Sequence, residues 1–193
     1  GMVAVMTQYI GADKVGVAYQ ARQVGLAFNG AIGVVLSVLL FCFSGQVVTA
    51  VGIAPQLKEY ASTYFRIVGG GCILNAMIPI FSSYLRAFGY TKNPLVGTIT
   101  GNIVNLILNS VFLFGFNMGV AGVAIATVIS RIVNLLMVAG ASARLIKAKD
   151  ASERIPNREV FRNIIRVGLP SAMETGLYNL AMTLMIRFLN QMD

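Results

Sequence analysis

Residues 93–130 read NPLVGTITGNIVNLILNSVFLFGFNMGVAGVAIATVIS, an unbroken run between Lys92 and Arg131 without one charged side chain. A helix rises about 1.5 Å per residue, so roughly 20 apolar residues cover the ~30 Å hydrocarbon layer of a bilayer. The run is long enough for one crossing, a turn and the start of another. Phe116-Asn117-Met118-Gly119 supplies the turn, because Asn and Gly tolerate the backbone angles that end one helix and start the next.

Two more charge-free gaps lie upstream, from Arg22 to Lys58 and from Arg66 to Arg86. Only 11% of residues are charged and 56% are hydrophobic, whereas a soluble domain carries about 25% charged residues. Too few charges remain to build a water-facing surface. The predicted spans are Val24 to Phe43, Ser62 to Leu85, Leu95 to Gly115, Val120 to Ile146 and Gly168 to Leu189. Gly1 to Ile10 is too short to span and reads as the end of a helix, followed by a polar segment from Gly11 to Gln23. The fold class is therefore an all-α, polytopic transmembrane helix bundle.

The net charge of +8 invites a nucleic-acid reading, but the basic residues gather in loops between apolar spans, so no nucleic-acid partner is expected. Lys14 and Arg22, Arg86 and Lys92, and a set from Arg144 to Arg166 fall in alternate loops, while the intervening ones carry only Lys58. Because Lys and Arg accumulate on the inner side, loops 11–23, 86–94 and 144–167 are expected in the cytoplasm of an inner (plasma) membrane protein. Within the last loop, Val160, Phe161, Ile164 and Ile165 share one helical face and Arg158, Arg162 and Arg166 another. That pattern predicts a short amphipathic helix on the inner surface.

There is no histidine, and Cys42 and Cys72 each lie inside an apolar span. A disulfide framework and a His-based metal site are excluded. No nucleophile–base pair or phosphate-binding loop is present either, so neither catalytic residues nor a cofactor is expected.

Polar residues inside the spans carry the functional information, since placing them in hydrocarbon is costly. Asn105 and Asn109 lie one turn apart on one face, and Asn102 extends the stripe. Such a ladder of amides either glues helices together or lines an ion path. Glu174 is the one acidic residue within a complete span, with Tyr178 a turn beyond it. Arg131, near the middle of its helix, is expected to face the bundle interior or a cavity. Pro79 and Pro170 are candidate kinks.

Arg86-Ala87-Phe88-Gly89-Tyr90-Thr91-Lys92-Asn93-Pro94 resembles the turn between the fourth and fifth helices of the multidrug and toxic compound extrusion (MATE) family. The spaced asparagines beyond it resemble the family's fifth helix. Gly119-Val120-Ala121-Gly122-Val123-Ala124-Ile125-Ala126-Thr127 resembles the opening of its sixth, Gln8 to Ala12 the end of its second, and Gly168-Leu169-Pro170 the beginning of its seventh.

The resemblance implies most of one six-helix lobe of a twelve-helix transporter. Residues 1–146 would belong to the amino-terminal lobe, 147–167 to a cytoplasmic linker and 168–193 to the first helix of the second lobe. It further implies a secondary antiporter that exports amphipathic, cationic organic compounds in exchange for Na⁺ or H⁺, with the bilayer and the remainder of the transporter as partners. Asn105, Asn109 and Thr127 map onto the family's coupling site, where a Na⁺ ion would also bind. The family's helix-one aspartate has no counterpart in this sequence. Asn102, Arg131, Glu174 and Tyr178 are candidate cavity residues. A lipid-linked oligosaccharide flippase and an inert membrane scaffold are the alternatives.

Overall fold

The computed structural model describes residues 1–50, 55–146 and 155–189. In chain order its helices are α1 (Met2–Gly11), α2 (Val15–Cys42), α3 (Ser44–Ala50), a 3-10 turn (Pro55–Leu57), α4 (Lys58–Gly70), α5 (Cys72–Ala87), α6 (Lys92–Ser110), a π-helical turn (Val111–Gly115), α7 (Gly119–Leu145) and α8 (Asn157–Leu189). Strands are absent among the described residues.

Among the described residues three helical segments are long and apolar enough to span: Val15–Cys42, Lys92–Gly115 and Gly119–Leu145. A fourth arises if α4 and α5 together make one bent crossing. Their outward faces are apolar: Val35 and Val38 of α2 and Ile103 and Leu106 of α6 are all more than half exposed. Side chains of this kind left uncovered over whole helices fit hydrocarbon as the surrounding medium.

The two turns predicted around the charge-free run form as its residues require. Asn117 and Gly119 take positive φ (52° and 57°) between the π-helical turn and α7, and Gly89 does so (83°) between α5 and α6. Glycine carries no Cβ to clash there, and asparagine tolerates the same region.

Other expectations are corrected. The polar stretch ending at Gln23 is not a loop: α2 begins at Val15. Its polar side chains find partners inside the bundle, with Gln20 buried and the Arg22 guanidinium stacked between Tyr19 and Tyr84, 4.5 and 4.7 Å from the ring centroids. The span from Ser62 to Leu85 bends by 43° between α4 and α5. The break falls at the run Gly69-Gly70-Gly71 and not at Pro79, which lies within α5. Glycines lower the cost of leaving helical geometry, and the Ile73 N–H freed by the break donates to Ser37 Oγ at 3.2 Å. A backbone donor in a membrane interior needs such a partner.

The amphipathic segment is not a separate helix. α8 runs without interruption from Asn157 through Gly168 and Pro170 to Leu189, since Gly168 does not adopt the positive φ that would open a turn. Its expected face is partly right: Val160 is buried and the three arginines are exposed, but Ile165 is 37% exposed. The portion from Gly168 onward, interrupted by Glu174 and Asn179, is not among the helices apolar enough to span. Lys147, Lys149 and Arg154 of the basic loop lie outside the described residues.

The helices pack as a bundle in which α6 lies along α7, α2 along α5, and α5 and α4 against α7. The largest buried side chains cluster at one end, where Met6, Val17, Tyr84, Leu85, Val138, Ile146 and Val160 meet from five helices. That end carries the turns at 12–14 and 88–91 and the start of α8. Elsewhere the helices meet through small residues. A Cβ on Gly33 would lie 2.8 Å from the Ile73 backbone, and one on Gly69 2.6 Å from Leu40.

Candidate ion-coupling site

The spacing of four in α6 decides where the site forms. Gly97, Gly101, Asn105 and Asn109 make one ridge along the helix. The two glycines let α7 approach closely: a Cβ on Gly97 would meet Asn134 Oδ1 at 3.0 Å, and one on Gly101 the Ser130 carbonyl at 3.2 Å. Small residues are what membrane helices use at such contacts, because lipid tails provide no hydrophobic drive for helices to associate.

Above the glycines the ridge turns polar. Asn109 Nδ2 donates to Asn105 Oδ1 at 3.0 Å. Asn105 Nδ2 is placed between Thr127 Oγ1 (3.4 Å) and Ser130 Oγ (3.5 Å) on α7. Both hydroxyls are themselves donors to their own helix, Thr127 to the Val123 carbonyl at 2.9 Å and Ser130 to the Thr127 carbonyl at 2.7 Å. Their remaining lone pairs therefore face Asn105. The result is a directed chain from Asn109 through Asn105 to the α7 backbone.

Two acceptors in this seam have no partner among the described residues. Asn109 Oδ1 and Asn134 Oδ1 are both inaccessible to solvent and unbonded. An unpaired buried acceptor costs about 1–3 kcal/mol, and Asn109 Oδ1 is free to accept a hydrogen bond or to ligate a cation. Every polar group in it is an amide or a hydroxyl, and none of these titrates near neutral pH. Such a set can supply oxygen ligands to a hard cation or hydrogen bonds to a carboxylate from another helix, but it cannot itself carry a proton.

Asn105, Asn109 and Thr127 are thus brought together, the asparagines as their spacing anticipated and Thr127 as the family resemblance implied. Asn102 is not: it is exposed, because the contact line follows the ridge at 97, 101, 105 and 109 and Asn102 stands beside Gly101, off that line. Arg131 is also exposed, one position past the buried Ser130, and does not face the interior of the described bundle. Glu174 and Tyr178 lie on the exposed part of α8. Among the described residues α8 packs mainly on α1 and α2, and its buried contacts are made near Val160, not at Glu174 or Tyr178. Ser130 and Asn134 were overlooked in the sequence, although Thr127, Ser130, Asn134 and Val138 follow one another by three or four and mark a single helical face.

Comparisons with known proteins agree with this architecture. The MatE family model matches residues 1–111, more than half of the chain. The uncharacterized transporter YisQ of Bacillus subtilis is 29% identical over 195 residues, covering 98% of this chain and 43% of that protein. A probable multidrug resistance protein NorM of Thermotoga maritima is 29% identical over 164 residues, covering 74% and 34%. The crystal structure of a MATE in complex with MaD5 superposes with a TM-score of 0.82 at 24% identity, over 95% of this chain and 42% of that one. An outward-facing multidrug resistance MATE transporter does so with a TM-score of 0.75 at 23% identity, over 94% and 42%. The chain spans less than half the length of each of these relatives. With a matching family model, a helical membrane bundle and the same fold as solved transporters, the chain belongs to the MatE family of membrane transporters.

Proposed function

We propose that this chain forms part of a secondary antiporter that exports amphipathic, cationic organic compounds in exchange for Na⁺ or H⁺. Asn105, Asn109 and Thr127, with Ser130, serve as the polar half of its coupling site. The observation that carries the reading is the solvent-inaccessible Asn109 Oδ1, without a partner among the described residues, at the head of a half-buried hydrogen-bonded ladder. Relatives that bear the names multidrug resistance protein and multidrug export protein support the substrate class.

In this reading the ladder contributes oxygen atoms and orientation, while the charge that exchanges with the ion sits on a carboxylate supplied by another helix of the complete transporter. A cation arriving between that carboxylate and Asn109 would satisfy the free oxygen, and its departure would leave the oxygen unpaired again. That difference in stability between loaded and empty site can bias a two-state protein. The movement is a rocking of two lobes about a central cavity. Residues 1–146 belong to one lobe, 147–167 to the cytoplasmic connection and 168–193 to the start of the other. The segments 11–23, 86–94 and 144–167 lie at the cytoplasmic side.

The test uses the full-length transporter in proteoliposomes, with efflux of a fluorescent organic cation driven by an imposed Na⁺ or pH gradient. Asn109→Ala is expected to weaken dependence on the coupling ion by about ten-fold, the scale of one hydrogen bond to a charged group. Unchanged ion dependence in Asn109→Ala and Asn105→Ala together would overturn the assignment and favour a scaffold role.

A further inference from the structure

Toward the other end of the α6–α7 pair from the ladder a second feature is built into the same two helices. Val96 lies nine residues before Asn105, roughly 14 Å along the helix axis at about 1.5 Å per residue. There an open groove of about 600 Å³ runs between α6 and α7, with Val96, Leu136 and Gly140 along it and Lys92, Asn93 and Arg144 at one end.

Its chemistry is divided. Lys92 opens α6 and Arg144 stands in the last turn of α7, so both cations sit at the same end of the pair. Among the described residues no carboxylate lines it. The remaining length is apolar and uncovered, with Val96 51% and Leu136 66% exposed. A Cβ added at Gly140 would meet nothing within 4 Å, so the space beside it is open.

We propose that this groove holds one anionic phospholipid of the cytoplasmic leaflet, its phosphate between Lys92 and Arg144 and an acyl chain along Val96, Leu136 and Gly140. Charge complementarity selects this occupant. Two cations with no carboxylate beside them among the described residues repel an organic cation, and a soluble anion makes no use of the apolar length below them. Basic pockets between helices at the cytoplasmic side are where anionic headgroups are recognised. The leaflet rests on the inward placement of loops 86–94 and 144–167 given above; binding itself does not.

The full-length transporter in mild detergent, offered equal amounts of phosphatidylglycerol and phosphatidylcholine, is read by native mass spectrometry. Wild type is expected to retain phosphatidylglycerol selectively. Lys92→Gln with Arg144→Gln is expected to lower that retention about thirty-fold, because each cation near an anionic headgroup contributes about five-fold, and to leave phosphatidylcholine unchanged. Gly140→Leu, which fills open space without meeting backbone, is expected to lower retention of the lipid while the two cations remain. Equal retention of phosphatidylglycerol by wild type and the double variant overturns the site. Displacement of the lipid by an equal concentration of inorganic phosphate overturns the lipid as its ligand and makes it a free-anion site. Sidedness is read separately by thiol labelling of Arg144→Cys in oriented vesicles. Labelling only from outside overturns the leaflet and the topology while leaving binding in detergent intact.

Discussion

The α6–α7 seam and the docking of α8 hold helices together by opposite means. Along the seam two glycines bring backbones close, and amides and hydroxyls bridge what remains. At α8 the contacts are made by long side chains. Gln20 of α2 pairs with the Ile155 peptide, donating to its carbonyl at 2.7 Å and accepting from its N–H at 3.3 Å, and also donates to Asn157 Oδ1. Asn163 donates to the Tyr9 hydroxyl at 2.7 Å, and Phe28 meets Phe161 edge-on at 4.9 Å. The difference follows from the medium. In hydrocarbon, burying an apolar side chain gains little, so close approach and internal hydrogen bonds decide. At the water-facing end burial is favourable again, and Val160 enters a core with Met6, Val17 and Tyr84.

If the seam depends on close approach, Gly101→Leu breaks it most. The new Cβ alone would stand 3.2 Å from the Ser130 carbonyl and 3.3 Å from Asn134 Cβ. Backbone cannot give way as a flexible side-chain end can, so α6 must shift along its length. Overpacking of this kind costs about 1–3 kcal/mol, visible as a lowered thermal midpoint in detergent. Gly30→Leu, where a Cβ meets nothing within 4 Å, is the matched control and should leave the midpoint where it was.

The α8 contact should yield to removal of a single amide. Gln20→Ala leaves both polar groups of the Ile155 peptide without their side-chain partner, at about 1 kcal/mol. The effect is local: α8 between Asn157 and Arg166 loosens while α6 and α7 keep their packing. Faster tryptic cleavage at Arg158 and Arg162, or reduced amide-exchange protection confined to that stretch, is the expected readout. Equal protection in variant and wild type would mean that Phe28, Phe161 and Val160 suffice.

Much of this contrast was legible in the sequence, and the part that was not has a physical cause. Charge-free runs identify spans because the bilayer imposes a length, and Asn117, Gly119 and Gly89 announce their turns because few residues accept those angles. The ladder of Asn105, Asn109 and Thr127 could be found from spacing and resemblance. Gln20 and Arg22, by contrast, look like loop residues until their partners are known, since Ile155 and Tyr84 lie far away in sequence. The bend at Gly71 was hidden for the same reason: a proline declares a kink locally, whereas a glycine run breaks only where a neighbour such as Ser37 can receive the freed N–H. Exposure of Asn102 and Arg131 was equally invisible, because helical periodicity orders residues around an axis without saying which side a neighbour covers.

The smallest expected effect on stability separates the seam's two roles. Asn105→Ala removes hydrogen bonds that are long, at 3.4 and 3.5 Å to the α7 hydroxyls, and interhelical bonds in membrane proteins average only about 0.6 kcal/mol. The thermal midpoint should therefore move far less than for Gly101→Leu. Asn109 nonetheless loses the acceptor that orients its amide, and with it the direction of its free oxygen. Ion dependence of transport should fall together with that of Asn109→Ala, not in addition to it, because both changes act on one ladder. A double variant twice as impaired as either single one, measured in the same proteoliposome assay, would mean that the two asparagines act separately and not as one ladder. Asn102→Ala, beside the ladder but off its line, should alter neither stability nor ion dependence, which ties any effect at Asn105 to the ridge itself.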